Sequence, residues 1–226
     1  MYQPMLFLHW KQIKVALIPF MIAAFGLPLL SVQGMGGATT PGGQAAYDYL
    51  VGAQLWVTAF PLLAGAIGIT LALSSWNWDH QLNHVYALSL PVPRWRYATL
   101  KMGAGALLAA LPAAAFWVGA HVAAASLTLP EGLHAYPNAL ALRFFLAELV
   151  CYAILFAMAA GTIRATLVIV TTCLLLLFAS GSLNGFLGRE FELFQDVNVL
   201  QAFMDVLVGP HGPFEVFSGS WVLIDV

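Results

Sequence analysis

The sequence predicts an all-α polytopic membrane protein with five complete spans, a partial or truncated sixth, and a cytoplasmic N-terminus. Three observations carry that expectation. Of 226 residues, 61% are hydrophobic and only 8% are charged, whereas soluble domains carry about 25% charged residues. A soluble globule of this size needs a polar exterior that such a composition does not provide, so the solvent for much of the surface is lipid. The apolar residues also fall into runs long enough to cross a bilayer, which takes about 20 helical residues. Finally, the basic residues are spread unevenly among the connections between these runs.

Each element follows in order. The stretch "MYQPMLFLHW" (1–10) precedes Lys11 and Lys14, the reverse of the charge order in a secretory signal peptide. It is expected to be retained as an amphipathic, Trp-bearing helix lying in the interface. "VALIPFMIAAFGLPLLS" (15–31) is the first span, with Pro19 and Pro28 tolerated because neighbouring helices can satisfy freed backbone groups. The glycine-rich "VQGMGGATTPGGQ" is a loop. The second span covers 47–73, and the third runs from about Ala98 to Leu127 and closes at the loop "LTLPEGLHAYPN". The fourth span is 139–161, and after "TIR" a fifth covers 165–181. Beyond it, 182–212 places acids between apolar residues at helical intervals, the pattern of amphipathic helices packed at the outer surface. "GPHGPF" breaks that pattern. "EVFSGSWVLIDV" (215–226) then begins an apolar run, either the start of a sixth span or a segment ending in the interface.

Lys and Arg near span ends mark the cytoplasmic side. Lys11 and Lys14, then Arg94, Arg96 and Lys101, then Arg164 all fall on one side if five spans alternate. The other side holds Arg189 with Glu131, Glu190, Glu192, Asp196 and Asp205. Six of the eight basic residues thus agree on one topology. It makes 74–101 the longest cytoplasmic loop and 182–212 external, within a single transmembrane domain covering 1–226.

Inside that loop, Pro91 and Pro93 break a helix and force an extended step. Residues 77–90 before them are expected to form a short helix, with Asp79 near its N-terminus, where a negative charge is favourable. Arg94, Arg96 and Lys101 would then anchor the third span at anionic headgroups. The residues Asp79, "LSLPVPR" (88–94) and Lys101 resemble the first cytoplasmic loop of ABC-2-type permeases, the transmembrane subunits of ATP-binding-cassette transporters. In that family an acidic residue precedes a short helix, followed by Leu-Ser-x-Pro-Val-x-Arg and a Lys about seven residues on. The chain departs from the pattern where a Gly is frequent after the acid, having Asn83 or His84 there.

The resemblance implies an ABC-2-type bundle of six spans with both ends inside. It implies a permease subunit of exporter type, in a bacterial inner membrane, with no catalytic site of its own. ATP and Mg would sit on a separate ATP-binding-cassette subunit, with a second permease chain, identical or related, completing the pathway. The loop helix would seat in a cleft of the ATPase, making Asp79, Asn83, Tyr86, Leu88, Pro91, Arg94 and Lys101 the residues that couple the two subunits. Independently, the chain has no G-x-x-x-x-G-K-[ST] loop to cradle phosphates.

Other residues bear on competing classes. A net charge of −2 gives no footprint for nucleic acid. Cys151 and Cys173 both lie in apolar runs and read as packing residues. His80 and His84 share a helix face and, with Asp79, could approach a metal, but no third strong ligand lies nearby. Trp76 and Trp78 would mark the headgroup level. His121 lies alone at its depth, so a hydrogen bond to another helix fits it better than a haem. Glu148 falls near the middle of the fourth span, where a carboxyl is costly and is a functional candidate. Its alternative is a structural hydrogen bond to a neighbouring helix, with Arg143 snorkelling outward. A non-transporting membrane scaffold and an intramembrane redox subunit are the competing functions. The redox reading needs a cluster of ligands at one depth, and the spans offer only Glu148 and His121.

Overall fold

In the computed structural model the residues described are 2–33, 51–52, 56–81, 93–127, 129, 132–161, 164, 167–168, 171–172, 212, 214–218 and 220–225. Four of their helices are long and apolar enough to cross a membrane. We number them α1 (Tyr2–Gln33), α2 (Ala59–Gln81), α3 (Arg94–Ala125) and α4 (Pro137–Ala159). Two short strands, β1 (His134–Ala135) and β2 (Ile224–Asp225), pair antiparallel. The residues form two compact units, Met1–Phe156 with Ser220–Val226, and Ala157–Gly219.

α1 is one unbroken helix of 32 residues, about 48 Å long at 1.5 Å per residue. The expectation of a separate interfacial helix before the first span is therefore corrected: residues 2–14 belong to one helix with it, of which His9–Gln33 is the stretch apolar enough to span. A helix that exceeds the hydrocarbon thickness needs no break, because further turns satisfy their own backbone groups on either side of the boundary. Pro19 and Pro28 both lie inside it. Ser31 bonds the Pro28 carbonyl at 2.7 Å, and in α2 the Thr70, Ser74 and Ser75 hydroxyls bond carbonyls three or four residues back. Such back-bonding satisfies hydroxyls within an apolar helix.

α2 ends later than hydropathy indicated. It carries on through "SSWNWDHQ" to Gln81, so residues 77–81 belong to its last turns and not to a separate loop helix. Residues 82–90, the rest of that expected helix, lie outside the described residues. So do the fifth span, apart from helical positions 167–168 and 171–172, and the 182–212 segment, apart from 212. α3 starts directly after Pro93, whose φ of −55° is the one its ring imposes and whose ψ of 136° is extended. Its carbonyl accepts the Arg96 and Tyr97 amides at 3.0 and 3.1 Å. No side chain caps this end, and Arg94 and Arg96 oppose the helix dipole there.

α3 packs against both α1 and α2, and side-chain contacts join it to α4. The Phe116 ring stacks on Phe144 with centroids 4.1 Å apart and meets the edge of Phe60 at 5.5 Å. At the other end the Tyr152 hydroxyl donates to the Met102 carbonyl at 3.1 Å. These contacts make α3 antiparallel to α2 and to α4. Glycines set the closest approaches. At Gly105 and Gly119 an added Cβ would collide with the Tyr152 hydroxyl and with the Phe25 carbonyl oxygen, respectively.

The connection from α3 to α4 turns at Gly132, whose φ of 93° favours glycine, and then forms β1. Residues 215–217 are a 3-10 turn and 224–225 are β2. This corrects the expectation of a partial sixth helix over 215–226. The Tyr136 amide and the β1 backbone pair with the stretch from Leu223 to Asp225, so an extended segment meets its backbone requirement by laddering. Trp221, Leu223 and Ile224 are buried within the first unit.

Candidate functional site

Asp79 is in the last turn of α2 and Lys101 in the second turn of α3. Both are buried, with side chains 2% and 5% exposed, and their charged atoms are 2.6 Å apart. The Tyr97 hydroxyl donates to the Asp79 carboxylate at 3.1 Å and receives a bond from the Lys101 Nζ at 3.3 Å. Tyr97 can do this because it lies four residues before Lys101 on the same helix face. The Lys101 ammonium also lies 4.5 Å from the Trp76 ring centroid and 5.1 Å from that of Tyr97, the range of cation–π attraction.

A third helix completes the cluster. Trp76 donates its indole N–H to the Phe156 carbonyl at 3.0 Å, and the Trp76 and Phe156 rings lie 5.0 Å apart. The arrangement is a clasp. It ties the end of α2 to the start of α3 and to the last turns of α4, and it closes the 82–92 connection at its base. Desolvating two charges costs several kcal/mol per ion unless geometry and further hydrogen bonds compensate; here the tyrosine and the ring faces supply those contacts.

The sequence-level candidates therefore divide. Asp79 and Lys101 come together across 22 residues. Asp79 is at the C-terminal end of α2 and not near the N-terminus of a loop helix, and its carboxylate is turned into the bundle. Arg94 and Arg96 are exposed, as is Trp95 between them. Asn83, Tyr86, Leu88 and Pro91 lie outside the described residues. Trp76, read as a headgroup marker, is buried in the clasp, and Tyr97 was not singled out at all. The i−3 spacing of Trp76 to Asp79 and the i−4 spacing of Tyr97 to Lys101 carried that information. No group of three or more potential metal ligands occurs among the described residues.

At the opposite end, His121 Nε2 and the Trp117 indole both meet the Asn138 side-chain oxygen, at 2.9 and 2.8 Å. His121 thus bonds across to α4, as its isolation suggested.

Glu148 lies in the middle of α4 and is 0% exposed. It follows Phe144 and precedes Tyr152 by one turn each, on the face that packs against α2 and α3. Among the described residues neither carboxyl oxygen has a hydrogen-bond partner, which differs from the expected bond to a neighbouring helix. An unsatisfied buried polar group costs about 1–3 kcal/mol. Glu148→Met should therefore raise the thermal stability of the purified protein by that order, measured by unfolding in detergent. A destabilised variant would show that a donor elsewhere in the chain holds this carboxyl.

No protein-family model matches the chain, and no curated protein or solved structure is detectably similar to it.

Proposed function

We propose that this chain is the transmembrane permease subunit of an ATP-driven transporter of exporter type, powered by a separate ATP-binding-cassette subunit and paired with a second permease chain. The observation that supports the reading most is the clasp. The acid and the lysine that bracket the family-like "LSLPVPR" segment are the two charges that meet in the bundle. A connection closed by a buried ion pair cannot swing freely at its base. Force applied to its tip by a closing ATPase would reach α2 and α3 together, and through Trp76 it would reach α4. Exposed Arg94 and Arg96 flank this base on the side that the basic-residue asymmetry assigns to the cytoplasm, the cell membrane of a bacterium being the setting implied.

The test is co-purification of the full chain with an ATPase subunit, followed by reconstitution. Arg94→Gln removes a charge and a forked donor set while leaving the buried clasp intact. At matched assembly, stimulated ATP hydrolysis should fall several-fold in this variant, with insertion unchanged because Arg96, Lys101 and the other inside charges remain. Unchanged stimulation would reduce Arg94 to a lipid anchor. Purification without any ATPase, from cells expressing the native complex, would favour the scaffold reading.

A further inference from the structure

Between α3 and α4, toward the end of the bundle away from the clasp, lies a cavity of about 390 Å3. Ala113 and Ala114 of α3 are too small to fill the space, and Trp117, Leu142 and Phe145 border it. Trp117 and Leu142 are exposed, so the cavity opens to the surroundings of the bundle. Small-molecule sites commonly have this form: a cleft of about 300–1,000 Å3 between helices, mostly apolar, with a few placed polar groups.

Asn138, at the end where Trp117 meets it, supplies the polar group. The Trp117 indole is a donor only, so the Asn138 atom 2.8 Å from it is the amide oxygen. That contact fixes which way the amide points, a choice the hydrogen-bond network decides. His121 Nε2 meets the same oxygen at 2.9 Å and must therefore carry the proton. With its oxygen taken twice, Asn138 still has two N–H donors, and among the described residues they have no acceptor. No charged side chain lines the cavity, so a free carboxylate or an amine would enter without a counter-charge. The complementary ligand is an apolar chain that ends in a neutral hydrogen-bond acceptor.

We infer that this cavity binds the acyl-ester portion of a membrane lipid, with the chain along Ala113 and Ala114 and the ester carbonyl accepting from the Asn138 amide. None of these residues belongs to the clasp or to the 82–92 connection, so the site stands apart from the transport reading.

Photolabelling of the full chain in detergent tests it. The probes are a diazirine-bearing fatty-acid methyl ester and a diazirine-bearing alkane of equal length, with labelled peptides mapped by mass spectrometry. The ester should label 110–117 and 138–145 about threefold to tenfold more than the alkane, the scale of one neutral hydrogen bond. Asn138→Asp keeps an oxygen for the Trp117 and His121 donors but removes both amide donors, so it should erase the advantage of the ester. Ala114→Phe fills the cavity from an exposed position and should cut labelling of these peptides by both probes several-fold. Excess diacyl phospholipid should compete with the ester. Equal labelling by the two probes in the native chain, or an ester advantage that survives Asn138→Asp, would overturn the carbonyl contact. Labelling unchanged by Ala114→Phe would overturn the cavity as the place of binding. Ester labelling that excess phospholipid leaves intact would exclude a membrane lipid as the occupant.

Discussion

Lys101→Met is expected to destabilise the protein by about 3–5 kcal/mol, the cost of removing one partner from a buried ion pair. The substitution leaves Asp79, whose side chain is 2% exposed, with only the Tyr97 hydroxyl as a partner among the clasp residues. It also removes the ammonium from between the Trp76 and Tyr97 rings. The converse, Asp79→Asn, should cost less. Lys101 then retains both ring faces and the tyrosine oxygen, and its long stem can carry the ammonium toward the interface. Combining Asp79→Leu with Lys101→Met should recover most of the loss, because a buried pair can be replaced by apolar side chains at little net cost. Thermal unfolding of the three variants, followed by tryptophan fluorescence, gives the comparison. A single Lys101→Met variant within 0.5 kcal/mol of the parent, on the order of an ordinary surface change, would mean that the pair is not closed in the membrane.

Gly68→Ala should be the second large effect, from one added methyl group. A Cβ at Gly68 would lie 2.6 Å from the Glu148 carbonyl oxygen, 2.8 Å from the Cys151 Cβ and 3.0 Å from the Tyr152 amide nitrogen. Two of these are backbone atoms of α4 and cannot rotate away, so α2 and α4 must separate by about an ångström to restore ordinary contact distances. Overpacking of this kind costs about 1–3 kcal/mol, and in lipid the lost packing is not offset by a hydrophobic force between helices. The separation would also strain the Trp76–Phe156 contacts two turns along, so Gly68→Ala should weaken the clasp as well. Gly26→Ala is the matched control: nothing lies within 4 Å of its added Cβ, and the change should be neutral or stabilising by up to about 1 kcal/mol. Equal melting temperatures for the two variants would show that α2 and α4 do not approach this closely.

Much of this architecture was readable from local composition. The third and fourth spans fall within a few residues of α3 and α4, because transfer into lipid depends on the residues of one continuous stretch. The pattern around "LSLPVPR" singled out Asp79 and Lys101, and the structure pairs them. What misled was the end of α2. "SSWNWDHQ" looks like loop by polarity, yet its serines bond back to the helix and Trp76 and Asp79 have partners on other helices. The final apolar run misled for a related reason: "SWVLI" is apolar, but the chain from Leu223 to Asp225 is extended and pairs with β1 and Tyr136.

Local composition was enough for the helical class and for the presence of apolar runs long enough to cross a membrane, since each is a sum over neighbouring residues. The expected orientation rests on the same kind of count, taken over the basic residues. The tertiary structure alone decided that Asp79 faces inward to Lys101, that Trp76 belongs to the clasp, that Gly68 admits α4, and that Arg143 meets the Ser220 carbonyl. Each of these depends on which faces of separate elements meet. Helical periodicity records such a choice only weakly where almost every face is apolar, because lipid and protein interior select the same side chains.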